Sequence, residues 1–198
     1  MIKLCRAYRT TSTVALQVLS KSPPIELLVE ERAKLYHANR PDGLSVGELK
    51  SSLREELMEK WQRKWNAETQ KGQWTKRLIK NIEPWVKRKH GDLTYRMTQA
   101  LTGHGCFGSF LKRIGKESVD NCHYCSGTDT PDHTMFHCVR FDMERRTCCL
   151  ETGCNITPDN IVPCMLENQQ QWNRIARFLE KVMLQKEADE RTRQTNSQ

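Results

Sequence analysis

The 198 residues allow one sizeable domain or two small ones, and a hydrophobic fraction of 37% permits a core without being generous. A formal charge of +8 points toward nucleic acid or another anionic surface as partner. No run of about 18 apolar residues occurs, which excludes a membrane-spanning helix. Nine cysteines, an odd number with seven crowded between Cys122 and Cys164, argue against a secreted disulfide framework. They suit a reducing compartment, nuclear or cytoplasmic, with cysteines as ligands or small buried groups.

The N-terminal stretch MIKLCRAYRTTSTVALQVLSKSPP carries Lys3, Arg6, Arg9 and Lys21 and no acid before Glu26. Arg, Ser and Thr without acids is the composition of an organellar transit peptide. Tyr8, Val14, Leu16 and Leu19 fit a structural helix over 4–19 better. Ser22-Pro23-Pro24 breaks it and opens a second helix, with a proline well placed near its start. Leu27, Leu28, Leu35 and Tyr36 form the apolar side of that helix. NRPDG, Asn39 to Gly43, is a turn.

A long helix over about 45–69 repeats Leu49, Leu53, Leu57, Trp61 and Trp65 every fourth residue, one slowly drifting face. Short helices are expected near 75–79 and 92–101. A Gly103-His104-Gly105 turn and a helix in CFGSFLKRIG follow. FDMERRTCCLETG reads as a helix closed by Gly153, and TPDNIVPCMLE as one capped by Thr157 with proline first. In the last helix, Trp172, Ile175, Ala176, Leu179, Val182 and Met183 follow the i, i+3, i+4, i+7 pattern. The polar tail from Glu187 is expected to fray.

Charge gathers in the middle. Residues 60–116 hold fourteen Lys and Arg against three acids, a net of +11. Lys76, Arg77, Lys80, Lys87, Arg88, Lys89, Lys112 and Arg113 are the candidate phosphate contacts. Trp61, Trp65, Trp74 and Trp85 interleave with these cations. Stacking on bases is one use for them, but spacing at i, i+4 favours core. His104 and Cys106 lie close in sequence as a conceivable reactive pair, yet no acid partner stands with them. No Gly-rich phosphate loop, nucleophile elbow or HExxH is present.

The most specific stretch is NCHYCSGTDTPDHTMFHCVR. Cys122 and Cys125 form a C-x2-C pair, and His133 and Cys138 complete C-x2-C-x7-H-x4-C. Three thiolates and an imidazole are the donors Zn²⁺ prefers, and four of them close its tetrahedral shell, so the site is structural rather than catalytic. A net −1 centre needs basic neighbours, for which Arg140, Arg145 and Arg146 stand near. His137, four residues after His133, would share its face on an α-helix and is the alternative to Cys138 as fourth ligand. The pair His133 and Cys138 needs the helix to end or loosen between them. Cys148, Cys149, Cys154 and Cys164 lack ligand spacing and read as small buried residues.

Several stretches together resemble the C-terminal region of the reverse transcriptase of arthropod non-LTR (LINE-type) retrotransposons. They are AYRTTSTVALQVLSKSPPIELLVEERAKLY, the segment from WQRKW to FLKRIGK with its GHGCF turn, the C-x2-C-x7-H-x4-C motif, and MLENQQQWNRIARFLEKVMLQKE. The similarity covers about residues 5–190. It implies a helical connector following the polymerase thumb and a CCHC zinc knuckle gripping RNA or target DNA, with Cys122, Cys125, His133 and Cys138 as ligands. It also implies that Met1 is incidental, in a truncated or partly predicted copy of the longer protein. The polymerase's paired-aspartate motif is absent, so no catalytic carboxylate carries over. The middle gap differs from the short retroviral knuckle, whose base-reading residues are not carried over either.

The expected fold class is mainly α, an irregular multi-helix assembly with a small CCHC zinc-knuckle module. Residues 1–40 form a helical segment like the post-thumb region, and 41–116 a basic connector with Trp-rich and GHG motifs. Residues 117–142 form the knuckle, 143–186 the C-terminal helices and 187–198 a disordered tail. The expected function is non-catalytic binding of RNA or DNA in support of target-primed reverse transcription. The expected cofactor is Zn²⁺ and the expected protein partner the reverse transcriptase core of the same element, with no membrane and no small-molecule substrate. The alternative is a zinc-stabilised protein-interaction module docking through Trp172 to Met183.

Overall fold

The computed structural model describes residues 1–38 and 45–196; the NRPDG turn lies outside the described residues. The fold is mainly α, with a single isolated bridge and no strand among the described residues. Where one N-terminal helix was expected there are two, α1 (Ile2–Cys5) and α2 (Thr13–Leu19). Arg6 turns left-handed (φ 52°) and ends α1. The Ser12 hydroxyl then accepts from Ala15 N–H and starts α2. Cys5, Ala15, Leu16, Val18 and Leu19 are all buried, so this segment belongs to the core.

Helix α3 (Ile25–His37) pairs with the long α4 (Val46–Ala67). Ser45 and Glu48 form a capping box that starts α4. Cross-helix pairs align the two, Glu26 with Lys64 at 2.6 Å, Glu31 with Arg54 at 3.0 Å, and Glu30 with Lys60. Burial deepens along α4, from half-buried Leu49 and Leu53 to Leu57, Trp61 and Trp65 at 2–3% exposure. Of the expected apolar side of α3, Leu27 is buried but Tyr36 points to solvent.

Then come α5 (Gln73–Leu78), α6 (Ile82–Lys87), α7 (Tyr95–Thr102) and α8 (Gly108–Arg113). The short α6 has no counterpart in the periodicity, since Pro84 interrupts its pattern; Asn81 caps it. Trp65 Nε1 donates to Ile79 O and Trp74 Nε1 to Ala100 O, both at 2.7 Å, so these indoles pin loops while filling core.

After the cysteine–histidine module, α9 (Asp142–Thr152) ends at left-handed Gly153, as expected. Helix α10 (Ile161–Glu167) starts later than expected. Residues 157–160 form a turn in which Thr157 N–H donates to Asn160 Oδ1, and the helix begins after Asn160. Helix α11 (Gln169–Asn196) packs on α7, α9 and α10. Its six patterned residues face inward, five of them at 0–2% exposure. Burying each large one contributes about 1.5–3 kcal/mol. The helix does not fray at Glu187. Glu187 pairs with Arg96 at 2.9 Å, and Asp189 accepts from Tyr124 Oη at 2.6 Å, so distant partners hold the polar end.

Candidate metal centre

The module is a short loop followed by an unusual helical turn. Asn121 and Thr128 form the isolated bridge. Cys122 N–H donates to Gly127 O at 2.7 Å, closing the loop that carries the first two cysteines. A Cβ on Gly127 would lie 2.7 Å from His133 Cε1, so a side chain there would displace the imidazole.

Thr130 Oγ1 accepts from His133 N–H at 3.0 Å and so starts the turn. The chain then winds as a π-helical turn over His133–His137, and Cys138 N–H donates to His133 O at 2.7 Å. In an α-helix, residues five apart point about 140° away from each other. The wider turn with its i→i+5 bond brings His133 and Cys138 into step. This is the loosening that the spacing required.

The result is compact. Cys122 Sγ and Cys138 Sγ are 3.7 Å apart, and Cys125 Sγ lies 3.1 Å from His133 Nε2. All four ligand atoms lie within 4.8 Å of one another, a group that could hold a metal ion. Two sulfurs each bonded at about 2.3 Å to one tetrahedral centre sit about 3.8 Å apart, so the cluster has the dimensions of a four-coordinate site. His137 stays outside it, exposed, with Nε2 3.5 Å from Asp132 Oδ2. His123 also points outward.

The protonation chemistry fits ligation. Burial lowers the His133 pKa and favours the neutral imidazole that a metal needs. The Gly127 backbone N–H, bonded to the Cys125 sulfur, lowers that thiol. Burial pushes the Cys138 thiol up to about 12, so its deprotonation calls for a cation at the centre. Of the basic neighbours, Arg145 reaches the module with its side chain, donating to Cys138 O at 2.9 Å. Arg146 pairs with Asp142 at 2.7 Å, and Arg140 faces Asp189 at 3.7 Å.

Asp129 is not among the residues singled out in the sequence, yet it organises the module. It accepts from Gly108 N–H at 2.8 Å, from Thr134 Oγ1 at 2.9 Å and from Lys186 Nζ. A single acid in a polar loop carries no sequence signal of this kind.

The candidate phosphate contacts are spread over several surfaces. Lys76 Nζ donates to Asn66 O and Glu68 O, closing the end of α4. Arg77 and Lys80 share Asp159, at 3.4 and 2.6 Å. Lys87 pairs with Glu83, and Lys112 with Asp120. Lys89 and Arg113 make no ion pair among the described residues. Arg88 departs from expectation. Its guanidinium lies 3.9 Å from the Trp85 ring centroid and 4.9 Å from that of Trp172, and it donates to Trp85 O. Burial draws its pKa down to about 10. It is part of the core packing rather than a free surface cation.

His104 and Cys106 are both buried in the glycine turn, with His104 Nδ1 2.9 Å from Thr102 O. Burial raises the Cys106 thiol to about 12, the opposite of an activated nucleophile. Among the other cysteines, Cys148 and Cys164 are buried as expected, while Cys149 and Cys154 are half-exposed. No helix among the described residues is long and apolar enough to cross a membrane.

No family model and no solved structure matches the chain. Curated proteins do. The chain is 30% identical over 201 residues to a 115 kDa protein in the type-1 retrotransposable element R1DM of Drosophila melanogaster, covering 91% of this chain and 19% of that protein. It is 27% identical over 153 residues to a retrovirus-related Pol polyprotein from the type-1 element R1 2 of Nasonia vitripennis, covering 69% of this chain and 37% of that one. A Pol polyprotein from the R1 element of Bradysia coprophila is 24% identical over 148 residues, 68% of this chain and 15% of its own length. The chain thus spans well under half the length of these relatives. It is a relative of the R1 non-LTR retrotransposon proteins, matching a segment of them with most of its own length.

Proposed function

We propose that the chain is a zinc-stabilised, nucleic-acid-binding segment of an R1-type reverse transcriptase protein, without catalytic residues of its own and lying C-terminal to the polymerase. It acts inside the cell, on element RNA or target DNA, alongside the polymerase core of the same element, in support of target-primed reverse transcription. The observation that carries this reading is the convergence of Cys122, Cys125, His133 and Cys138 within 4.8 Å. Three thiols and one imidazole favour zinc over harder cations. Zinc, when bound, supplies a crosslink and no open position for substrate. The chain's own residues do the rest: Thr130 and the π turn aim the ligands, and Asp129 fastens the module to α8 and α11.

Arg77, Lys80, Lys87, Lys89, Lys112 and Arg113 are the proposed phosphate contacts. The exposed ion pairs of four of them with acids are weak and leave those cations free to exchange partners. The alternative, docking through Trp172 to Met183, loses support because that face is buried in the fold itself. The test is metal content and salt-dependent binding. One zinc per chain is expected, lost in Cys122→Ser, with affinity for RNA or DNA falling steeply between 50 and 200 mM salt. Zinc-free wild-type protein, or salt-independent binding, would reject it.

A further inference from the structure

A cleft of about 490 Å³ opens beside the metal module, between the segment before α2, the loop entering α5, the His104 turn and α8. Pro131, two residues before the ligand His133, forms part of its wall. Its size falls within the roughly 300–1,000 Å³ usual for small-ligand sites.

The lining has a consistent chemistry. Lys71 and Arg113 border the cleft and make no ion pair within the distance of a salt bridge among the described residues; the Lys71 charge is felt by Glu68, and the Arg113 guanidinium lies 5.2 Å from the Phe110 ring centroid. No Asp or Glu lines it, while Thr10, Thr11, Ser12 and Ser109 bring hydroxyls to it. This contrasts with Arg77, Lys80, Lys87 and Lys112, each of which faces an acid. Two cations, several hydroxyls and no carboxylate suit a phosphate group.

Two further features ask for more than an inorganic anion. Trp74 lines the cleft half-exposed, its ring orientation held by the Nε1 bond to Ala100 O. Such a fixed indole offers a face for a base. Gly103, left-handed at φ 68°, lets the turn approach this ring: a Cβ there would lie 2.9 Å from Pro131 and 3.3 Å from Trp74. On the same wall, Thr11 Oγ1 is a buried polar atom that completes no hydrogen bond.

We propose that this cleft receives one nucleotide unit of a single-stranded nucleic acid, its phosphate between Lys71 and Arg113 and its base against Trp74. The proposal rests on the nucleic-acid reading above and localises it. A duplex keeps its bases stacked on each other and has none to offer the indole, so the cleft discriminates single strands from duplexes.

The test uses the full zinc-loaded chain and a labelled twelve-nucleotide single strand, with a blunt duplex of the same sequence alongside. Lys71→Glu with Arg113→Glu should weaken single-strand binding at least tenfold at low salt and flatten its salt dependence. Trp74→Leu should weaken it about tenfold, and the duplex less. The same charge change at Arg32 and Lys50, which line a different groove, should cost under twofold. Metal content and melting temperature check that each variant folds.

In the unaltered chain, a bromouracil-bearing strand should crosslink to Trp74 or the peptide around it. A free nucleoside monophosphate at millimolar concentration distinguishes a mononucleotide pocket, which it would saturate, from a strand-binding cleft, in which it competes weakly. Wild-type-like binding by the Lys71/Arg113 variant, full displacement by the monophosphate, or crosslinks confined to other segments overturns the cleft and leaves nucleic-acid binding standing. No binding by wild-type protein at low salt overturns both.

Discussion

Lys186 Nζ sits 2.8 and 2.7 Å from the two carboxylate oxygens of Asp129, with side-chain exposures of 1% and 3%. This ion pair crosses 57 residues of sequence and joins the far part of α11 to the metal module. The same carboxylate holds Gly108 N–H and the Thr134 hydroxyl, so three segments meet on one acid.

Breaking a buried pair from one side leaves an uncompensated charge. Lys186→Met should therefore lower unfolding stability by about 3–5 kcal/mol in urea titration. Adding Asp129→Asn should return part of the loss, since the stranded charge is then gone. A single-variant loss under about 1 kcal/mol would mean that the pair is not buried as described.

Gly127→Ala places a methyl group against the His133 ring. Zinc affinity, read by competition with a chelating dye, should fall about ten- to a hundredfold, the range seen when a ligand's support is disturbed. Wild-type affinity would show that the loop has room the structure denies it.

Arg88→Gln removes a cation held between two indoles and its bond to Trp85 O. Stability should drop by about 2 kcal/mol, while the salt dependence of nucleic-acid binding stays as in wild type. A shallower salt slope with unchanged stability would return Arg88 to the phosphate contacts.

Lys87→Glu with Lys89→Glu tests the exposed part of the basic run. Affinity for RNA and DNA should weaken at 50 mM salt and the difference should narrow at higher salt, as counterion release requires. Equal affinity at both salts would remove this surface from the interface.

Burial holds the His104 pKa below its usual value near 6.5. The unfolded chain therefore takes up that proton at a higher pH than the folded one. Stability contributed by the neutral ring is present above about pH 6.5 and is lost as pH falls below it. Between pH 7 and 5, zinc-saturated wild type should lose stability more steeply than His104→Gln. Parallel curves would place His104 in contact with water.

The convergence of Cys122, Cys125, His133 and Cys138 was legible because residue type and spacing are local. The spacing also posed the problem of His133 and Cys138, five residues apart, which the π turn answers. The long helices were legible through their apolar periods. What escaped detection depends on distant partners. Arg88 sits in a run of basic residues, but Trp172, 84 positions on, covers it. The polar end of α11 carries no apolar pattern, yet Arg96 and Tyr124 hold it. The hub at Asp129 exists only once α8 and α11 have met. Helix α6 is too short, and too disturbed by Pro84, to show a period.

X-ray absorption at the zinc edge of the purified chain tests the central claim most directly. Three sulfurs at about 2.3 Å and one nitrogen at about 2.0–2.1 Å are predicted, at one zinc per chain. A shell of two sulfurs and two nitrogens, one containing water oxygen, or a protein that retains no zinc would contradict it.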